Sequence, residues 1–113
     1  GTCIYAKGFL EAYKLQRRIW LVDSFRGLPW KEHSRDTDAW ARSSFLAVTQ
    51  EQVEDNFRRH RLLDSSVHFV SGFFKDSLPP LQRRLSRLAV LRLDADMYLS
   101  TVVALCNLYA LVE

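Results

Sequence analysis

The chain has 113 residues, 48% of them apolar and 26% charged, with a formal net charge of +3. That is one domain's worth of ordinary globular sequence, too apolar for a disordered tail and without an apolar run near the roughly 20 residues that cross a bilayer. The basic clusters Arg17-Arg18, Arg58-Arg59-His60-Arg61 and Arg83-Arg84 are separated and mixed with acids, so they read as solvated helix faces and not as a nucleic-acid surface.

In chain order, Gly1-Thr-Cys-Ile-Tyr-Ala-Lys7 lacks the charged start and long apolar core of a signal peptide. Tyr5, Phe9, Leu10 and Tyr13 have the spacing of one helical face. Ile19-Trp-Leu-Val22 then reads as a buried strand ending at Asp23. Residues 24–48 carry Gly27, Pro29 and many polar side chains broken by Trp30, Trp40 and Phe45, the composition of a long loop with some helical turns. Loops of this length are commonly functional. Thr49-Gln-Glu-Gln52 is a capping-box start, and Val53, Phe57 and His60 continue one helical face to about Leu63. Val67-His-Phe-Val70 is a second strand followed by the turn Ser71-Gly72, Asp76-Ser-Leu-Pro-Pro80 begins a short helix, and Leu88 to Leu93 is a third strand. From Ser100 the apolar set Val102, Leu105, Cys106, Tyr109 and Val112 marks a last helix. Alternating helices and strands predict an α/β fold, a parallel sheet flanked by helices. Cys3 and Cys106 show no metal-ligand spacing, and reduced, buried thiols in a cytoplasmic protein are the expectation.

The most informative stretch is Leu88-Ala-Val-Leu-Arg-Leu-Asp-Ala-Asp-Met-Tyr-Leu-Ser-Thr101, where an apolar run stops at Asp94 and Asp96. In open α/β sheets ligands bind beyond the carboxyl ends of strands. In an extended chain alternation puts both carboxylates on one side, and two close anions call for a cation, a proton or a donor. Mg2+ is a natural compensator. The plainer reading is that one aspartate caps the following helix and the other is solvated.

Three strand ends carry polar groups: Asp23-Ser24, Ser71-Gly72 and Asp94-Ala-Asp96. Parallel strands bring such ends to one rim. An acid ending a strand of a nucleotide-binding half can accept two hydrogen bonds from a ribose diol, which suits Asp23. Gly72 would allow close backbone approach to an adenine ring, with Phe73 or Phe74 on its face and at least one of the two in the core. The same D-x-D pattern also admits a phosphotransferase with Asp94 as nucleophile, or a glycosyltransferase holding a metal on a diphosphate. A non-catalytic binding remnant is the third alternative.

Asp23-Ser-Phe-Arg-Gly-Leu-Pro29, Gly72-Phe-Phe-Lys-Asp-Ser-Leu-Pro79 and Leu91-Arg-Leu-Asp-Ala-Asp-Met-Tyr-Leu-Ser-Thr101 together resemble successive motifs of the macrocin O-methyltransferase family, in family order and over nearly the whole chain. The resemblance implies a Rossmann-like class I methyltransferase fold, S-adenosylmethionine as donor, Mg2+ dependence and a small-molecule hydroxyl acceptor on a sugar or natural product. The charge distribution and the lack of a long apolar run call for no nucleic-acid or membrane partner, and a homo-oligomer stays open. Carried over by position, Gly1 is the last glycine of the cofactor loop, Asp23 with Ser24 beside it holds the ribose, and Ser71, Gly72 and Phe73 lie near the adenine. Asp94 is a Mg2+ ligand, and Asp96 a supporting acid or the general base. Trp30, His33 and Trp40 are candidates for covering the acceptor, with His33 a second candidate base. Ala95 stands where the family usually has glycine. The resemblance also implies that residues 1–113 are a partial domain, with the first strand, most of the glycine loop and the paired aspartates that complete the metal shell outside it. In that sheet the first strand separates the strand ending at Asp23 from the one ending at Asp94, so the isolated stretch is expected to be weakly stable and inactive.

Overall fold

The structure, a computed structural model, describes residues 1–37, 39 and 47–113; Trp40 and Phe45 lie outside the described residues. Helix α1 (Thr2–Ala12) leads to strand β1 (Ile19–Asp23), then helix α2 (Gln50–Arg59), strand β2 (Val67–Ser71), helix α3 (Phe74–Gln82) and helix α4 (Tyr98–Leu108), which tightens into a 3-10 turn over Tyr109–Leu111. The two strands pair in parallel, from Ile19 opposite Val67 to Asp23 opposite Ser71.

Strand alternation divides the core. Trp20, Val22 and Val70 pack on Leu78 and Leu81 of α3 and Ala104 and Leu108 of α4. Leu21 and Val67, joined by Ile19 and Phe69, pack with Phe57 of α2 and with Cys3 and Ile4 of α1. Helices therefore cover both faces of a parallel pair. The α2 start has the expected box: Gln52 N–H donates to Thr49 Oγ1 at 3.2 Å, and Thr49 N–H to Gln52 Oε1 at 2.9 Å. The helix ends at Arg59, short of Leu63, because Arg61 turns into the left-handed region at φ 56°.

Several expectations are corrected. The strand expected from Leu88 to Leu93 does not form: Leu88 alone bridges to Val112, and no described strand lies beside the rest to complete a ladder. Helix α3 starts at Phe74, two residues before Asp76, because Gly72 at φ 136° turns the chain immediately after β2. The faces of α1 and α4 are also different. Tyr5, Phe9 and Tyr13 are exposed, while Lys7 is buried. In α4 the buried residues are Ala104 and Leu108, with Leu105, Cys106, Tyr109 and Val112 open to solvent. Both helices carry apolar residues around most of their circumference, so spacing alone does not choose the inward face. Cys106 is accordingly an exposed thiol, and Cys3 a half-buried one.

Lys7 reaches from α1 to the turn before β2, donating to Asp64 Oδ2 at 2.8 Å and Ser66 Oγ at 2.9 Å, and pairing with Glu11. Burial acts to lower its pKa, but hydrogen bonds to Asp64 and Glu11 outweigh this and raise it. Hydrogen bonds from Lys7 and Ser66 hold the Asp64 carboxyl at about 2, below its ordinary value of 3.8. The depressed carboxylate therefore stabilises the fold above pH 3.8, and its contribution fades as pH falls through about 2. Because Asp64 is half exposed, solvent screening limits the effect to about 1 kcal/mol. Lys7→Met should lower the urea midpoint near neutral pH, and the deficit should shrink when the titration is repeated near pH 2. A deficit that does not change with pH would assign the loss to packing.

Candidate functional site

Asp23 closes β1, and its carboxylate immediately organises the chain that follows. Phe25 N–H donates to Asp23 Oδ1 at 2.9 Å, Arg26 N–H to Ser24 Oγ at 3.1 Å, and Ser24 Oγ to the Gly27 carbonyl. Phe25 and Gly27 adopt left-handed backbone, φ 53° and 91°. The non-glycine strain at Phe25 is held by the core, since its ring is buried 6.1 Å from that of Phe69. Among the described residues, Asp23 Oδ2 has no hydrogen-bond partner, which leaves one carboxylate oxygen for a ligand.

Asp23 is tied to the end of β2, where Gly72 N–H donates to the Asp23 carbonyl at 2.9 Å and Ser71 Oγ to the Ser24 carbonyl at 3.5 Å. Gly72 needs its positive φ, and a Cβ there would meet Ser77 Cβ at 3.5 Å. The next two aromatic rings divide as expected of a pair with one in the core: Phe74 packs into the α3–α4 cluster, and Arg26 lies 5.9 Å over the Phe73 ring.

One cleft is lined by Asp23, Ser24, Phe73 and Asp94, with Gly27, Pro29 and Ala95 among its other walls. Four of the sequence-predicted residues thus meet. Gly1, Ser71, Gly72 and Asp96 are not among the lining residues; Gly1 instead opens α1, its carbonyl accepting from Tyr5 N–H at 3.1 Å. Asp94 is exposed and ion-pairs with Arg92 at 2.9 Å. Asp96 has left-handed backbone at φ 57°, and Met97 N–H donates to the Ala95 carbonyl at 2.6 Å, so the extended alternation that would align the two aspartates is broken. Ala95 and Met97 are buried on either side of it.

A second hollow adjoins the first through Pro29, Phe73, Phe74 and Ser100, and its wall includes Trp30, Glu32, Asp36 and Lys75. Glu32 pairs with Lys75 at the start of α3. His33 lies with its ring 4.6 Å from that of Tyr98, and its Nδ1 accepts from Arg35 N–H at 3.1 Å. Neither hollow is lined by His33, and Trp40 lies outside the described residues.

The residue sequence reasoning missed is Asp36. It is buried, and its two carboxylate oxygens accept from the N–H groups of Tyr98 and Leu99 at 2.5 and 3.2 Å. Helix α4 is therefore capped neither by Asp94 nor by Asp96, and Met97 at the capping position makes no side-chain bond. No local signal marks Asp36, because side-chain caps normally sit next to the helix they close.

The cleft offers hydrogen-bonding oxygens and an aromatic face, and its residues do not make a metal shell by themselves. A half-free acid, a buried serine and an aromatic ring line one cleft, whereas no group of three or more His, Cys, Asp or Glu among the described residues is placed to hold a metal ion. None of the described helices is long and apolar enough to cross a membrane.

The family described as Macrocin-O-methyltransferase (TylF) matches residues 1–113. The chain is 43% identical over 115 aligned positions to demethyldecarbamoylnovobiocin O-methyltransferase of Streptomyces niveus, covering 96% of this chain and 43% of that protein. It is 44% identical over 116 positions to 8-demethyl-8-(2,3-dimethoxy-alpha-L-rhamnosyl)-tetracenomycin-C 4'-O-methyltransferase of Streptomyces olivaceus, with 96% and 43% covered. The solved structure of the O-methyltransferase NovP superposes with a TM-score of 0.90 at 42% identity, over 97% of this chain and 47% of that one. The chain thus spans less than half the length of the relatives it matches.

Proposed function

The chain belongs to the macrocin-O-methyltransferase family, and on that premise we propose that it is the donor-binding part of an S-adenosylmethionine-dependent O-methyltransferase acting on a hydroxyl of a sugar or natural product. Its partial Rossmann-like fold, a parallel strand pair with helices on both faces, accords with the match to NovP. The observation that carries the donor assignment is the shared cleft of Asp23, Ser24, Phe73 and Asp94. S-adenosylmethionine, when bound, supplies a methyl group on a positively charged sulfur.

The chain's own residues hold and orient. Asp23 offers Oδ2 to a ribose hydroxyl, Phe73 gives an aromatic face to the adenine, and Ser71 and Gly72 form the strand end beside it. Asp94, across the cleft, orients the acceptor hydroxyl or takes its proton, a role worth roughly 10²–10⁴-fold for a positioned group. Asp96 is an auxiliary acid or base outside the cleft lining. In the same reading Asp94 would be one ligand of a Mg2+ ion, although the described residues do not make a metal shell by themselves. Residues 1–113 are then a partial domain, inactive alone, from a cytoplasmic enzyme. Nothing in the cleft favours a phosphotransferase or glycosyltransferase, because Asp96 does not share it with Asp94.

Calorimetry on the whole protein tests the donor site. Asp23→Ala should weaken S-adenosylmethionine binding by about 10- to 100-fold, the loss of one or two charge-assisted hydrogen bonds. Unchanged affinity would remove Asp23 from the site.

A further inference from the structure

We propose that Asp36 is a positioning residue, tying the seating of loop 28–37 to the placement of Asp94; this rests on the reading of Asp94 given above. The first turn of a helix leaves its N–H groups without intrahelical partners, and in α4 two of these are taken by Asp36 alone, from 62 and 63 residues upstream. The grip is reinforced at Tyr98, where Arg35 Nη1 donates to the hydroxyl at 3.1 Å and the guanidinium lies 4.8 Å over the ring. On one side of this clamp is the loop that walls both hollows through Pro29. On the other is Asp94-Ala-Asp-Met97, a stretch without strand pairing whose shape depends on a left-handed Asp96, a tight Met97-to-Ala95 bond and the helix that follows. With no strand pairing, that stretch takes its position from the burial of Ala95 and Met97 and from where α4 begins.

Asp36 makes the loop and the helix start one unit. When the loop is seated, Tyr98 and Leu99 are capped and Asp94 faces Asp23 and Phe73 across the cleft. When Asp36 is withdrawn, two N–H groups lose their acceptors and Asp94 loses its anchor, although the donor-binding ends of β1 and β2 keep their mutual hydrogen bonds.

The test uses Asp36→Ala and Asp36→Asn in the whole protein, with kcat, donor Kd and peptide-resolved hydrogen exchange measured well below the unfolding temperature. Asp36→Ala should lower kcat by about tenfold or more, the scale of a small displacement of a reacting group, while donor Kd stays within about threefold. Asp36→Asn keeps a capping oxygen and should recover most of kcat. In the alanine variant, exchange should rise together in residues 28–37 and 94–99. An unchanged kcat, a fall matched by an equal loss of donor affinity, or exchange rising at Tyr98 and Leu99 alone would overturn the coupling. Should the wild-type protein transfer no methyl group, the proposed function fails, and the exchange pattern still decides whether Asp36 couples loop to carboxylate.

Discussion

Asp94→Asn in the whole protein is expected to lower methyl-transfer kcat by about 10²–10³-fold while leaving S-adenosylmethionine affinity within about threefold, because on the proposed reading it removes the carboxylate that meets the acceptor and leaves the donor contacts in place. Asparagine keeps the shape and loses the charge. The Arg92 pair that disappears with it is exposed, so stability should change by less than about 1 kcal/mol and unfolding will not imitate the kinetic loss. Asp96→Asn is the matched control: asparagine tolerates the left-handed backbone at φ 57°, so that substitution also changes charge without changing conformation. Since Asp96 does not line the cleft, its loss should be about tenfold or less. A chelator titration adds the metal question. If Asp94 ligates Mg2+, the Mg2+ concentration giving half-maximal rate should rise in Asp94→Asn and stay put in Asp96→Asn. Equal kinetic losses in both variants would abolish the distinction drawn between them, and an Asp94→Asn enzyme with a third of wild-type activity would end the assignment.

Phe57→Ala in the whole protein should be the most damaging packing change, at about 3–5 kcal/mol by urea unfolding. Phe57 is completely buried and is the only buried residue of α2 among those described. It sits against Leu21 and Val67 of the two strands, with its ring edge-on to Phe69 at 6.2 Å. Truncation thus opens a cavity at the junction of both strands and detaches the helix in one step. Ordinary domains have only about 5–15 kcal/mol in total, so the variant should be partly unfolded at moderate temperature. Glu51→Ala, on the exposed side of the same helix, should cost under about 0.5 kcal/mol. A Phe57→Ala loss as small as that would mean that α2 is held by something other than this contact.

The parts of this fold that were legible in the amino-acid sequence are those specified by neighbours along the chain. Thr49 and Gln52 announce α2 because both halves of the capping box lie within four residues, and the runs after Arg18 and Ser66 read as strands because they are short, apolar and bounded by polar turns. Leu88–Leu93 has the same local character and still makes no strand, because a strand is completed only by a hydrogen-bonding neighbour. Tyr5, Phe9 and Tyr13 had the right period for a core face and lie outside, because Cys3, Ile4 and Lys7 offer a competing face that meets β1 and the turn at Asp64. Of the residues that line the candidate cleft, Asp23, Ser24, Phe73 and Asp94 were reachable from motif order and expected strand ends. Asp36 was not, since the helix it closes begins 62 residues later.

That separation has a consequence for the order in which the molecule assembles. Most helix caps form with their helix, at almost no cost in chain entropy, whereas this one requires a loop of 62 residues to be closed first. In synthesis from the N-terminus, Asp36 emerges early and waits, while the pairing of β1 with β2 and the packing of α3 shorten the effective distance to its target. The first turn of α4 is therefore expected to be completed after β1 has paired with β2, a sequence that pulse-labelled hydrogen exchange during refolding would check at Tyr98 and Leu99.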